Sequence, residues 1–326
     1  MPVLVSSYSA PSFLKSGHVH TVVANLWRPQ AEVVYRRERI DTDDGDFLDL
    51  DWSCPGSERL AVISHGLEGN SRRAYVLAMA RAFNRDGWDV LAWNFRGCGG
   101  QINRRPAFYH SGATHDLEAV LSHALRDGRY RRVGLVGFSL GGNLTMKYLG
   151  ERGGDAHPAL VGGVGFSVPC DLACGSRRSE LGQNRIYMKR FLKMLRAKIR
   201  AKMQNLPGVL DDAGYERIKT FRDFDERYTA PLHGFASAED YWAKASARPW
   251  LIRIALPALM VNAMDDPLLG PGCFPWQEAR DNPHFHLEAP RHGGHVGFLS
   301  FDGDGLCWLE RRALEFLNAC PDRSGQ

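Results

Sequence analysis

Gly137-Phe138-Ser139-Leu140-Gly141 constrains this chain more than any other stretch. Val133-Gly134-Leu135-Val136 leads into it, and Gly142-Asn143-Leu144-Thr145-Met146-Lys147-Tyr148-Leu149 follows with helical character. The pattern predicts a strand, a one-residue apex and a helix. A serine at such an apex sits on a sharp turn in strained backbone geometry. The strand and the helix pass so close to it that small residues are required two positions before and two after. The hydroxyl then stands clear of the sheet at a helix N-terminus, where free amides and the helix dipole favour developing negative charge. Glycine-rich turns also produce this pattern by chance, so the rest of the chain has to supply the context.

The chain has 326 residues, enough for one large core. Hydrophobic residues make up 44% and charged residues 24%, ordinary for a soluble globular protein. A net charge of +4, with no arginine-rich tail, argues against a nucleic-acid partner. Met1 to Ala10 lacks the charge and apolar core of a secretory leader. Seven cysteines without paired zinc-type spacing read as reduced thiols, and the expected compartment is the cytoplasm.

Residues 1–30 read as a lead-in. His18 and His20 invite comparison with a metal pair, but no third ligand follows nearby, so no metal or other cofactor is expected. Residues 32–52 alternate around Asp43-Asp44-Gly45-Asp46, which reads as a hairpin with a solvated turn. Short apolar strands are predicted at 60–64, 88–95, 133–137, 160–168, 258–263 and 284–288. Helices are predicted at 71–85, 114–127 and 306–320. Alternation of this kind argues for a mostly parallel sheet covered on both faces. Residues 171–250 break it with charged, helical sequence. The predicted organisation is a core of 1–170 and 251–326 with a helical cap of 171–250 inserted at the edge where such sheets bind ligands.

A serine hydroxyl needs a general base, usually a histidine oriented by a carboxylate. On a strand–turn–helix nucleophile the chain order is serine, acid, histidine. Leu259-Met260-Val261-Asn262-Ala263-Met264-Asp265-Asp266-Pro267 offers two carboxylates after a strand. Asp266, directly before Pro267, fits the register better than Asp265. His292-Gly293-Gly294-His295 follows the last strand, and His295, leading into an apolar run, is the better base. The two oxyanion donors would be the backbone N–H of Leu140 and that of Leu67, in the loop His65-Gly66-Leu67. Arg96 reads as an ion-pairing buttress of the loops in preference to a substrate contact. Cys98 lacks a strand–apex–helix setting and is a weak rival nucleophile. Ser111 or Thr114 is expected to cap the helix at 114.

These stretches together resemble the YheT-type branch of the α/β-hydrolases, related to the eukaryotic α/β-hydrolase-domain proteins of the one-and-three type. The resemblance rests on His65-Gly66-Leu67-Glu68-Gly69, Asn94-Phe95-Arg96-Gly97-Cys98, Tyr109-His110-Ser111-Gly112, the Ser139 motif through Asn143, Arg222-Asp223-Phe224-Asp225, Asp265-Asp266-Pro267 and His292 to Phe298. It implies the α/β-hydrolase fold with a short helical cap and esterase-type or lipase-type activity. The expected function is carboxylic ester hydrolysis through Ser139, Asp266 and His295. The rivals are a lipid acyl-ester hydrolase or acyltransferase at a membrane surface, and a non-catalytic binding protein on the same fold. Between 185 and 203, apolar residues recur at Met188, Phe191, Leu192, Leu195, Ile199 and Met203. Lys189, Arg190, Lys193, Arg196, Arg200 and Lys202 occupy the other face. That helix reads as a lid, with peripheral membrane contact as its alternative.

Overall fold

The computed structural model describes residues 2–28, 31–300 and 305–323. Of the segments predicted above, residues 1, 29, 30, 301–304 and 324–326 lie outside the described residues. Among the described residues nine strands form one sheet. They are β1 (Val3–Leu4), β2 (Arg36–Asp41), β3 (Phe47–Ser53), β4 (Arg59–Ser64), β5 (Asp89–Asn94), β6 (Arg132–Phe138), β7 (Leu160–Phe166), β8 (Ala258–Val261) and β9 (Phe285–Glu288). Their order is β1-β9-β8-β7-β6-β4-β5-β3-β2. The pairs from β1 through β5 are parallel, whereas β3 runs antiparallel to both β5 and β2.

Strand composition explains the layers. Leu60 and Val62 of β4 face one core, with Leu135, Leu117 and Val120. Ala61 and Ile63 face the other, with Val136, Met79 and Phe83. A strand apolar on both faces needs cover on both sides. That cover includes α2 (Ala74–Arg85) and α11 (Trp308–Ala319) on one face. On the other face are α3 (Thr114–Leu125), α4 (Leu140–Arg152) and α10 (Trp276–Asp281). The lead-in holds two elements that the sequence reading missed. The strand β1 extends the sheet beside β9, and α1 (Gly17–Trp27) lies against the loop after β9.

Between β7 and β8 the chain is helical, with α5 (Leu172–Ser179), α6 (Arg185–Asn205), α7 (Phe221–Phe224), α8 (Ala230–His233) and α9 (Ala238–Ala245). Met188, Leu192, Leu195 and Ile199 of α6 pack on Ile218, Phe224 and Tyr228. The basic residues, read above as occupying the opposite face, are not uniformly exposed. Lys202 is fully buried, and its ammonium donates to Asn103 Oδ1 at 2.7 Å and to the carbonyl of Arg105. Burial lowers its pKa to about 8. Arg196 and Arg200 share Asp212, at 3.0 and 2.7 Å. Lys189, Arg190 and Lys193 remain exposed.

Two further expectations change. Asp46, in the hairpin turn, is buried rather than solvated and lies 3.4 Å from Arg96, which also pairs with Asp44 and Asp116. The helix at 114 has Ala113 at its N-cap with no side-chain cap. The Ser111 hydroxyl instead accepts from the Tyr241 hydroxyl at 2.9 Å, and so ties the β5–α3 connection to α9.

Candidate active site

Ser139 sits between β6 and α4 with φ +53° and ψ −117°. A non-glycine residue with positive φ is strained and is held there by its surroundings. Its N–H donates to Phe166 O at 2.8 Å. A Cβ at Gly137 would collide with the Gly141 carbonyl, and one at Gly141 would collide with the carbonyls of Ser64 and His65. The glycines two before and two after the serine are therefore forced by backbone approach.

The carboxyl ends of β4, β6, β8 and β9 converge here. Ser139 Oγ lies 2.9 Å from His295 Nε2. His295 Nδ1 lies 2.8 Å from Asp266 Oδ2. Asp266 is buried, and its other oxygen accepts from Leu268 N at 2.9 Å. With the carboxylate as acceptor, Nδ1 carries the proton and Nε2 is free to accept from the serine hydroxyl. Asp265 turns elsewhere. Its oxygens meet His292 Nδ1 at 3.2 Å and Gly294 N at 2.9 Å. Asp266 and His295 thus reach Ser139, and Asp265 and His292 form a separate pair.

The loop after β4 is a turn closed by Gly69 N to Gly66 O at 2.9 Å, with Leu67 and Glu68 at its centre. Gly66 lies close enough to Ser139 that a Cβ there would be 3.3 Å from the serine Cβ. Glu68 has φ +51°, and several partners hold it in that strained state. Its N–H donates to Tyr109 Oη at 2.8 Å, and its carboxylate accepts from that hydroxyl at 2.6 Å. Its carbonyl accepts from Arg73 Nη2 at 2.8 Å. Lys198 Nζ lies 2.8 Å from its carboxylate. His65 is fully buried, and burial lowers its pKa to about 3. The neutral ring donates from Nδ1 to Gly66 O at 2.7 Å and accepts Phe95 N at Nε2, 3.2 Å away. Among the described residues the Leu67 amide has no hydrogen-bond acceptor. Leu140, first in α4, precedes the helix's first internal bond, Asn143 N to Ser139 O.

Several residues of this site carried no signal in the sequence. Thr21 Oγ1 of α1 accepts from His295 N at 2.8 Å, and Ser167 Oγ accepts from Val296 N at 2.8 Å. Together they position the histidine loop. Tyr75 Oη accepts from Gly66 N at 3.0 Å. Lone hydroxyls of this kind have no motif. Cys98 is half-buried; desolvation raises its thiol pKa to about 11, and Lys198 Nζ donates to it at 3.0 Å. His18 stacks on Tyr187, whereas His20 is buried and accepts from Leu299 N at 3.1 Å. The two histidines thus serve separate contacts. All seven cysteines are free thiols.

A cavity of about 900 Å³, its open mouth included, leads from Ser139 and His295 under the helical segment. Phe108, Phe191, Leu195, Phe224, Trp242 and Leu269 are among its apolar walls. Asp225 enters it from a short π-helix, Asp225–Thr229. Its carboxylate accepts from Thr229 Oγ1 at 2.6 Å and from Trp242 Nε1 at 2.9 Å, yet burial raises its pKa to about 6.

A family model described as alpha/beta hydrolase fold matches residues 62–302. YheT of Escherichia coli (strain K12) is 35% identical over 92% of this chain and 89% of that protein. Phospholipase ABHD3 of Homo sapiens is 28% identical over 91% of this chain and 75% of that protein. Among solved structures, the Pyrococcus furiosus esterase Pf2001 superposes with a TM-score of 0.60, covering 90% of this chain and 97% of that one at 16% identity. A sheet of this order, a serine apex after β6 and a near full-length match to YheT have one common explanation: the chain belongs to the α/β-hydrolase fold family, in its YheT branch.

Proposed function

We propose that the chain hydrolyses carboxylic esters with apolar acyl groups through an acyl-enzyme on Ser139. The observation that carries this reading is the hydrogen-bonded chain Ser139–His295–Asp266 at the mouth of an apolar cavity. Ser139 Oγ bonds to the carbonyl carbon as its proton passes to His295 Nε2. Asp266 holds the imidazole in the accepting tautomer and stabilises the imidazolium. The amides of Leu67 and Leu140 receive the oxyanion. Collapse breaks the bond to the alcohol oxygen, which takes the proton from His295. Water then repeats the sequence and releases the carboxylic acid. No step requires a cofactor.

The helical segment 171–250 serves as a cap over the core of 1–170 and 251–326. Its α6 supplies Phe191 and Leu195 to the acyl cavity. Labelling by a fluorophosphonate probe tests the nucleophile. Wild type should react and Ser139→Ala should not; equal labelling of both would remove Ser139 from the reaction.

A second reading, extraction of the ester from a lipid surface, is favoured by Val22 and Leu26 of α1. Both are exposed and border the approach to Ser139. The human relative's name, a phospholipase, agrees with lipid esters as a class. Among the described residues no helix is long and apolar enough to cross a membrane. The peripheral contact of this reading would run through α1 and the exposed basic residues of α6 within 185–203. Co-sedimentation of wild type, but not of Leu26→Ser, with anionic vesicles would support it, and no binding at low salt would sink it.

A further inference from the structure

Ser139 and His295 border two spaces, and the two differ in kind. The cavity described above has Asp225 as its one acidic wall residue and neither lysine nor arginine. On the other side of Ser139 a groove runs between α1, the segment Gly66–Tyr75 and the start of α6. Arg28, Arg72, Arg73 and Arg190 line it, and among the described residues no aspartate or glutamate does.

The four arginines divide by how they are engaged. Arg28 is committed to structure, donating to Glu310 at 2.8 Å and to Gly297 O at 2.6 Å. Arg73 donates to the neutral Glu68 carbonyl, and Arg72 lies over the Tyr35 ring with its centre 5.7 Å away. Arg190 is exposed. Among the described residues none of Arg72, Arg73 and Arg190 has a carboxylate partner. Elsewhere arginines are neutralised locally, as in Arg37–Asp51, Arg39–Asp49, Arg96–Asp116, Arg248–Glu278 and Arg312–Glu288. Three unneutralised guanidinium groups around one groove create a positive field that a low-dielectric wall focuses.

We propose that this groove receives the alcohol half of the substrate and that this half carries a phosphate. The assignment rests on the ester-hydrolase reading and narrows it to acyl esters of phosphorylated alcohols. An ester bound at Ser139 must place its acyl chain on one side and its alcohol on the other. The mostly apolar side, which holds no lysine or arginine among the described residues, suits the chain. A phosphate offers several acceptor oxygens and up to two charges, and guanidinium groups pair with it in bidentate fashion. A head group that adds an ammonium, such as phosphocholine, gains less, because the described residues of the groove offer no carboxylate to the cation and the arginines repel it.

The test compares three short-chain substrates below their aggregation concentration: a monoacylglycerol, the same acylglycerol phosphate, and the same acylglycerophosphocholine. Wild type should favour the phosphate ester over the neutral one in kcat/KM by about tenfold at low salt. Screening should shrink that preference as ionic strength rises. Arg72→Gln with Arg190→Gln, both at exposed positions, should bring the ratio close to one. The phosphocholine ester should fall between the other two. Equal rates on the phosphate and neutral esters, or a ratio unmoved by the double substitution, would overturn the proposal while leaving the hydrolase reading intact. No turnover of any ester, together with an unlabelled Ser139, would remove the hydrolase reading and this assignment with it. A vesicle arm separates the sources of the phosphate: saturation by monomers alone marks a soluble phosphorylated ester, and a requirement for vesicles marks a lipid.

Discussion

Lys198 Nζ on α6 lies 2.8 Å from the carboxylate of Glu68, the residue directly after Leu67. One ion pair therefore joins the helical segment over the site to the strained turn beside Ser139. Both side chains are more than nine-tenths buried, and Lys198 also stands over the Tyr109 ring at 4.5 Å. Its pKa is raised in spite of burial, with Cys98 and Glu68 as the compensating partners. Lys198→Met would leave the Glu68 carboxylate buried without its cation. The expected loss of stability is about 3–5 kcal/mol by urea unfolding. Any slackening of the turn should also lower kcat by up to about 10² with KM less affected, since a full oxyanion donor is worth about 10²–10³. An unchanged kcat in the folded variant would mean that the pair anchors the helix and leaves the turn alone.

Asp266→Asn should lower kcat by about 10⁴, because the amide cannot hold the accepting tautomer of His295. Asp265→Asn should cost far less, since that carboxylate meets His292 and Gly294. Steady-state rates on a p-nitrophenyl ester compare the two, and the opposite ranking would transfer the role to Asp265.

Buried histidines set the acid stability. His20 and His233 are lowered to about 4 and His65 to about 3, each chiefly by burial. His110 is lowered well below its ordinary value for the same reason. Between pH 4 and about 6.5 the unfolded chain binds protons at these sites and the folded chain does not. Stability should therefore rise with pH across that window and fall as the solution is acidified. Asp225 acts in the opposite sense. With its pKa raised to about 6, its protonated form favours folding at low pH, and that contribution is lost as pH rises from about 4 to 6. Urea midpoints against pH should show a net rise toward neutrality. That rise should be shallower in His233→Gln and steeper in Asp225→Asn.

The parts of this protein legible in the sequence are those where backbone geometry dictates residue type. Gly137 and Gly141 announce the serine turn because no side chain fits beside their neighbours' carbonyls. The strands β4 to β8 are apolar on both faces, and only burial on both sides accounts for that. What stayed hidden depends on long-range packing. The sequence of α1, Gly-His-Val-His-Thr-Val-Val-Ala-Asn-Leu-Trp, is rich in β-branched residues and lacks a side-chain cap. Its place against the His295 loop, with Thr21 bonded to the His295 amide, makes it a helix. Lys198 and Lys202 fall in a run of basic residues whose charge suggests solvent, yet each follows a buried apolar residue, Leu195 and Ile199, by three positions and so lies on the packed side of α6. Their partners, Glu68 and Asn103, lie about 130 and 99 residues away in the chain, and nothing local marks them.

The acyl cavity yields the last prediction. Leu195 of α6 is buried and forms part of its wall together with Phe191 and Phe224. An indole at that position would occupy space that the far end of a longer acyl chain would otherwise fill. Ser139 and His295 lie at the mouth, so a short acyl group would meet the obstruction least. Each methylene denied burial forfeits about 0.8 kcal/mol, and two of them amount to roughly fifteenfold in kcat/KM. Leu195→Trp should therefore shift the optimum of a p-nitrophenyl ester series toward shorter chains, with the longer esters losing at least that factor relative to the acetate. Leu195→Met, which nearly conserves volume, should keep the wild-type chain-length profile. If the tryptophan variant loses the same factor on every ester, the acyl chain does not run along α6, and the groove beside α1 becomes the better candidate for it.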